Sequence, residues 1–190
     1  MMQLVEEIKN VVDVLRKGGI ILYPTDTVWG IGCDATNPEA VAKIYKLKQR
    51  EDSKSMLVLI DTPGRIPSYI SEMPEIAWDL IELADKPLTI IYPKAKNLAS
   101  NLVAPDGSIG IRVANHEFCS KLIGRFARPI VSTSANISGK PFPKSFDEID
   151  LAIKKGVDYV VSPEFDNPVS DKPSGIIMLG TNGEVKVIRE

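Results

Sequence analysis

Thr25, Asp26 and Thr27 follow directly on an apolar run, Ile20 to Tyr23, that Pro24 cuts off. Three short oxygen-bearing side chains in a row can hold a polar ligand with little loss of side-chain entropy. Gly30 and Gly32 just beyond would let backbone approach that ligand closely. The plain alternative is a Pro/Gly turn closed by Asx-type hydrogen bonds. Three further segments carry more polar residues than folding requires. Lys48-Gln49-Arg50, with Lys54 close behind, offers fixed cations. Residues two apart diverge on a helix, so Lys48 and Arg50 meet one anion only if the helix unwinds, for which Glu51-Asp52-Ser53 is a suitable place. Lys43 and Lys46 read more simply as complements of the helix dipole at its C-terminal end. In Ser108 to Val113 (SIGIRV), Arg112 lies on the strand face opposite Ile109, Ile111 and Val113, where it is either solvated or grips a carboxylate or phosphate bidentately. Ser132 to Gly139 (STSANISG) is a row of small hydroxyls with one amide, longer than a polar turn needs. No Walker A sequence, Cys-His pair, G-x-S-x-G elbow or paired-carboxylate motif accompanies these segments. Hydroxyls, an amide and fixed cations suit a reaction governed by positioning and charge neutralisation, as phosphoryl or nucleotidyl transfer is.

Gly30 to Ala35 also fits G-x-G-x-x-A, the dinucleotide fingerprint, with Glu51 and Asp52 downstream. That motif needs its first glycine in the tight turn after a strand and a helix opening at once. Here Pro24 to Trp29 intervene, and the next helix is announced only by Asn37 as cap and Pro38 at the first helical position. The nicotinamide reading is therefore rejected.

The elements that must position these residues are legible from periodicity. Leu4, Ile8, Val11, Val12 and Leu15 recur at helical spacing and stop at Gly18-Gly19. A second helix runs from Pro38 towards Lys48 with Val41, Ile44, Tyr45 and Leu47 inward. Strands are expected at Ile20 to Tyr23, Met56 to Ile60, Leu88 to Tyr92, Ile109 to Val113, Ile130 to Ser132, Tyr159 to Val161, Ile176 to Leu179 and Val185 to Ile188, with helices near Glu75 to Ala84, Glu117 to Phe126 and Phe146 to Lys155. This alternation predicts an α/β chain with a mixed, twisted sheet, parallel pairs within and hairpins near the C-terminus. Pro163 to Pro173 is the best candidate for a mobile loop.

At 190 residues with 44% hydrophobic and 25% charged residues, the chain has ample material for a core. A net charge of −2 argues against a protein whose main partner is the nucleic acid backbone. The longest apolar runs are too short to span a bilayer and the N-terminus lacks an apolar signal core, so a cytoplasmic protein is expected, with no membrane. Cys33 and Cys119 are too few for a disulfide framework, and with His116 as the one histidine a zinc site is not expected.

Taken together and in this order, PTDTVWG, KQR, SIGIRV and STSANISGKP resemble the YrdC family, the threonylcarbamoyl-adenylate synthases, from Gly19 to Arg189. The resemblance implies the family's fold, a twisted mixed open sheet flanked by helices with a large concave cavity, in a single domain over residues 1–190. It implies the reaction of L-threonine, bicarbonate and ATP, with magnesium, to threonylcarbamoyl-AMP and pyrophosphate, for modification of tRNA. Carried across, it places Thr27, Arg112, Ser134 and Ser174 at threonine, and Lys48 and Arg50 at the reacting phosphates. Lys54, Ser108, Asn136, Lys144 and Arg189 complete the ATP site. It further implies a product passed to a tRNA threonylcarbamoyl-transferase complex, with weak or indirect tRNA binding by this chain. The sequence departs from the family at Glu51 and Ser55, where prolines are common, at Trp29, where tyrosine is frequent, and at Gly175, where threonine is usual. Two alternatives stand beside this reading: a non-catalytic RNA-binding module of the same fold, and a carbamoyl-transfer domain of the kind fused within larger maturation proteins. The acidic total and the scarcity of interleaved aromatics weigh against the first.

Overall fold

The computed structural model describes residues 2–49, 56–181 and 183–190. Helix α1 (Met2–Arg16) turns its Ile8, Val11, Val12 and Leu15 stripe inward and ends where Gly18 takes a φ of 72°, a left-handed conformation that glycine adopts without strain. Strand β1 (Ile21–Tyr23) follows, then β2 (Gly30–Gly32) and helix α2 (Pro38–Lys48). As expected, Asn37 caps α2: its Oδ1 accepts from Glu39 N at 3.0 Å and Ala40 N at 3.1 Å. Then come β3 (Leu57–Ile60), a 3₁₀ segment (Pro63–Ser68), α3 (Glu75–Glu82), β4 (Leu88–Tyr92), β5 (Ile109–Val113), α4 (Glu117–Phe126) and β6 (Ile130–Ser134). The chain continues through α5 (Leu151–Gly156), β7 (Tyr159–Val160), a short 3₁₀ turn (Pro163–Phe165), β8 (Gly175–Leu179) and β9 (Val185–Arg189).

The strands form one mixed sheet in the order β7-β1-β2-β6-β3-β5-β4-β8-β9. The pairs β1–β7, β3–β5 and β4–β8 are parallel, and β8–β9 is an antiparallel hairpin. Strand β2 was not expected, because Gly30-Ile31-Gly32 offers only one side chain to a β pattern. It is a strand because β1 and β6 pair with it from both sides, Ile31 lying opposite Leu22 and Thr133. This also removes the geometry of a dinucleotide fingerprint, since Gly30 sits inside the sheet. The helix expected from Phe146 begins only at Leu151, where Asp150 Oδ1 accepts from Ala152 N at 2.9 Å.

Alternation across the sheet explains the layering. One face carries Leu22, Ile31, Val58, Ile60, Ile90, Ile111 and Val131, all sealed in a core with residues of α2, α3, α5 and the first 3₁₀ segment. On the other face Ile21, Tyr23, Leu59 and Ile130 pack under α1 and α4 in a second core. Those two helices cover only part of that face. The remainder, where Gly30, Leu57, Thr89, Gly110, Arg112, Ser132, Ile176 and Arg189 stand, is left open as a cavity.

Candidate functional site

The cavity has a volume of about 520 Å³. Its floor is deep because glycines stand where side chains would fill it. A Cβ on Gly110 would lie 3.2 Å from Thr89 Cγ2, and one on Gly30 would lie 3.3 Å from both Ser132 Oγ and Thr25 Cγ2. The polar wall is built from strand ends. Thr27 comes from the loop between β1 and β2, Ser132, Thr133 and Ser134 from β6, Ser108 from the turn before β5, Ser174 from the residue before β8 and Arg189 from the end of β9. Met56, Leu57, Ile91, Phe142, Ile176 and Met178 supply an apolar wall. A concave site with an apolar lining and a few convergent polar groups is the usual form of a small-molecule pocket.

The loop after β1 is held by its own hydroxyls. Thr25 Oγ1 donates to Val28 O at 2.8 Å and accepts from Thr27 N at 3.1 Å, while the two threonine hydroxyl oxygens are 3.1 Å apart. With its proton already committed to Val28, Thr25 accepts from Thr27, which leaves the lone pairs of Thr27 Oγ1 for a ligand donor. Of the three residues only Thr27 lines the cavity; Asp26, between the threonines, does not. Its carboxylate is fully buried, with Oδ1 2.9 Å from Arg112 Nη2 and Oδ2 accepting from Asn115 N at 3.4 Å.

Arg112 resolves the choice left open by its strand position: it is 3% exposed, lines the cavity and is not a solvated outer-face residue. Its Nε has no hydrogen-bond partner among the described residues. Thr89, a residue that sequence reasoning missed, lies directly opposite Arg112 in the β4–β5 pair and shares a 2.8 Å hydrogen bond with Ser174 through their hydroxyls. The signal was a lone threonine in an otherwise apolar strand, LTIIY. Arg189 joins from the edge, its Nε donating to Ser174 O at 2.9 Å. Burial, and then the like charge of Arg112, pull the Arg189 guanidinium below its ordinary pKa. Two guanidinium groups converging on one partly dry cavity favour an anion there. On the rim Asp106, also unforeseen, is held below the usual carboxylate range by hydrogen bonds from Ser108, whose N–H donates at 2.9 Å.

Other expected site residues are placed differently. Helix α2 does unwind after Lys48, at Gln49, which adopts φ 51° and ψ 43°. Lys48 itself is 1% exposed and absent from the cavity lining; its Nζ donates to the carbonyl oxygens of Ser134 and Asn136, and Ser138 N donates back to Lys48 O at 2.9 Å. Asn136 turns into its own loop, Nδ2 donating to Lys140 O at 2.7 Å, and Lys144 is exposed; neither lines the cavity. Arg50 and Lys54 lie outside the described residues, as do Glu51 and Ser55. Lys43 serves a different helix end from the one inferred: its Nζ donates to Gly18 O at 2.7 Å, just past α1. The segment from Pro163 to Pro173, read as mobile, is tied down. Trp29 Nε1 donates to Asp166 Oδ2 at 2.8 Å, Val169 and Ser170 N–H groups both donate to Asp26 O at 3.0 Å, and Phe165 stacks on Phe118 with centroids 5.7 Å apart. Among the described residues no group of three or more His, Cys, Asp or Glu could hold a metal ion, and no helix is long and apolar enough to cross a membrane.

Comparison with known proteins adds to this geometry. The family model Sua5_yciO_yrdC, described as Telomere recombination, matches residues 13–190. Threonylcarbamoyl-AMP synthase of Vibrio cholerae is 32% identical over 163 residues, covering 84% of this chain and 87% of that protein. The structure of P. abyssi Sua5 complexed with L-threonine superposes with a TM-score of 0.80 at 27% identity, over 90% of this chain but only 50% of that one. E. coli YciO superposes with a TM-score of 0.82 at 26% identity, over 96% of this chain and 88% of that one.

Proposed function

The chain belongs to the Sua5, YciO and YrdC family, and from that premise we propose that it is an L-threonylcarbamoyladenylate synthase, a nucleotidyltransferase that makes this adenylate and pyrophosphate from L-threonine, bicarbonate and ATP. The observation that carries the reading is Arg112: a buried guanidinium, fixed on one side by Asp26, in a residue that lines the cavity. A small carboxylate suits the part of this guanidinium that lines the cavity, because a planar fork recognises carboxylate oxygens in its own plane. The L-threonine complex of P. abyssi Sua5 supports threonine as its bearer.

The chemistry then follows from what the residues can do. Threonine nitrogen takes up bicarbonate with loss of water, a carbamate oxygen forms a bond to the α-phosphorus, and the bond to pyrophosphate breaks. Arg112 orients the amino acid, Thr27 accepts from it, and Thr89 with Ser174 narrows the space beside it. Arg189 and Ser108 face the nucleotide end, where the apolar wall of Met56, Ile176 and Met178 suits a base. Arg50 and Lys54 are assigned to the phosphates, which arrive with magnesium as the metal complex of ATP. Lys48 fixes the backbone from which Ser134 presents its hydroxyl. No protein nucleophile is needed. The adenylate is then handed in the cytoplasm to a tRNA threonylcarbamoyl-transferase complex, since this chain's charge gives it little hold on tRNA.

The test is to incubate the protein with ATP, magnesium and each combination of threonine and bicarbonate. Pyrophosphate release that requires both is expected. Cleavage of ATP to ADP, or release indifferent to threonine, would overturn the reading.

A further inference from the structure

Two prolines bracket one residue of the cavity wall. In Lys140-Pro141-Phe142-Pro143 each proline fixes its own φ and holds the residue before it extended, so Phe142 is confined from both sides. The segment is also anchored. Lys140 N donates to Ile137 O at 3.1 Å, Lys140 O accepts from Asn136 Nδ2 at 2.7 Å, Pro143 is buried, and Lys144 N donates to Glu148 Oε2 at 2.8 Å. Phe142 is half-buried and lines the cavity, the one residue of 135–150 that does. It belongs to neither apolar core and meets no other ring among the described residues. Phe146, four positions on, packs on the first core and against Trp29 with centroids 4.9 Å apart. A phenyl ring held this firmly yet left out of both cores is not accounted for by the packing of the fold, and apolar area in a cavity wall gains from being covered.

We propose that Phe142 determines the nucleotide specificity of this site: its ring stacks on the nucleobase of ATP and sets a preference for purine over pyrimidine nucleotides. This deepens the adenylate-synthase reading and rests on it. Among the substrates of that reading only the base has a broad planar face; threonine has none, and bicarbonate is small and charged. The other apolar members of the wall, Met56, Leu57, Ile91, Ile176 and Met178, are aliphatic, so Phe142 is the only aromatic ring among the described lining residues. Aromatic rings gain from offset stacking on a planar partner beyond the area they bury, and a purine offers more face than a pyrimidine. A stack reads ring size rather than a hydrogen-bond pattern.

The probes are the α,β-methylene analogues of ATP and UTP, which cannot release pyrophosphate, and inorganic tripolyphosphate, which has no base. Each is titrated with magnesium and threonine present, by calorimetry, into the parent protein, Phe142→Ala, Phe142→Leu and Phe142→Tyr. Removing the ring should weaken the ATP analogue about fivefold to 100-fold, the range for losing one base stack. It should weaken the UTP analogue less and leave tripolyphosphate unchanged, which also shows that the rest of the site is intact. Phe142→Leu keeps apolar volume without the ring and should lose most of the purine preference, whereas Phe142→Tyr should keep it. Equal weakening of the ATP analogue and tripolyphosphate, a purine-to-pyrimidine ratio that Phe142→Ala leaves unchanged, or a leucine variant as selective as the parent would each overturn the proposal and leave the synthase reading standing. A parent protein that binds none of the three would overturn that reading, and the proposal with it.

Discussion

Asp26→Asn is the substitution that tests the reasoning about Arg112 most directly. The carboxylate and the guanidinium are 2.9 Å apart, with side chains 0% and 4% exposed, so neither charge has water to fall back on. Removing one member of such a pair leaves the other buried without compensation, which costs about 3–5 kcal/mol. The asparagine keeps an acceptor oxygen near Arg112, so the lower end, about 3 kcal/mol, is expected. For a chain of this size about 2–4 °C of melting temperature accompany each kcal/mol, giving a fall of about 6–12 °C. Urea unfolding of Asp26→Asn, Arg112→Met and the double variant closes the cycle. Each single change strands one buried charge and should cost a similar amount, whereas the double change strands none and should cost at least about 2 kcal/mol less than their sum. In the activity assay the single Asp26 variant should raise the Michaelis constant for threonine more than that for ATP, because the arginine proposed to read the carboxylate has lost its anchor. Additivity within about 0.5 kcal/mol, or equal changes in both constants, would refute the claim that Asp26 acts by holding Arg112.

Gly32→Ala should destabilise the fold by about 3 kcal/mol, the upper range for overpacking, because its Cβ would stand 2.7 Å from both Tyr23 Cε1 and the Val131 carbonyl oxygen; thermal melts measure it. Lys48→Met should cost about 1–3 kcal/mol in urea unfolding and loosen the Ser134 to Asn136 loop, since two carbonyls lose a charged donor. His116 supplies a pH test: burial lowers its pKa, outweighing the opposing pull of Asp26, Asp166 and Glu117. The unfolded chain therefore takes up a proton first as pH falls below about 6.5, and stability should decline from there towards the lower folded value. His116→Gln should flatten that decline in denaturant titrations between about pH 7.5 and 5.

How much of this was legible beforehand differs by kind of residue. Strands β4 and β5 and helix α4 were readable to the residue, because Leu88 to Tyr92, Ile109 to Val113 and Glu117 to Phe126 each carry a strong apolar period between clear breaks. Strand β2 was not, because its conformation is imposed by neighbours on both sides. In the site, one cavity groups Thr27, Ser108, Arg112, Ser134, Ser174 and Arg189, a part of the set that the family resemblance implied, while Lys48, Asn136 and Lys144 do not line it. Motif density marks a segment as unusual; it does not say which way each side chain points. Asp26 turned to Arg112, Lys48 to carbonyls and Asn136 to its own loop, in each case because a buried polar group takes the nearest partner the fold offers. Thr89 was invisible for the converse reason. One hydroxyl in an apolar strand carries no signal until its register opposite Arg112 is known.

The provenance of the cavity wall has a consequence for how the protein comes into being. Thr27 and Gly30 come from the loop after β1 and from β2, while Ser174 and Arg189 flank and end the β8–β9 hairpin far along the chain, and β2 waits for β6 before its second edge is paired. The cavity is therefore complete only when segments far apart in the sequence have come together. Until β8 and β9 are docked the chain presents the free edge of β4 and an unfilled basin beside Arg112. Such long-range closure is slow relative to local helix formation, and open edges invite association with other nascent chains. The cavity is thus a product of long-range closure, and assistance during folding would matter most in the interval before the β8–β9 hairpin docks on β4.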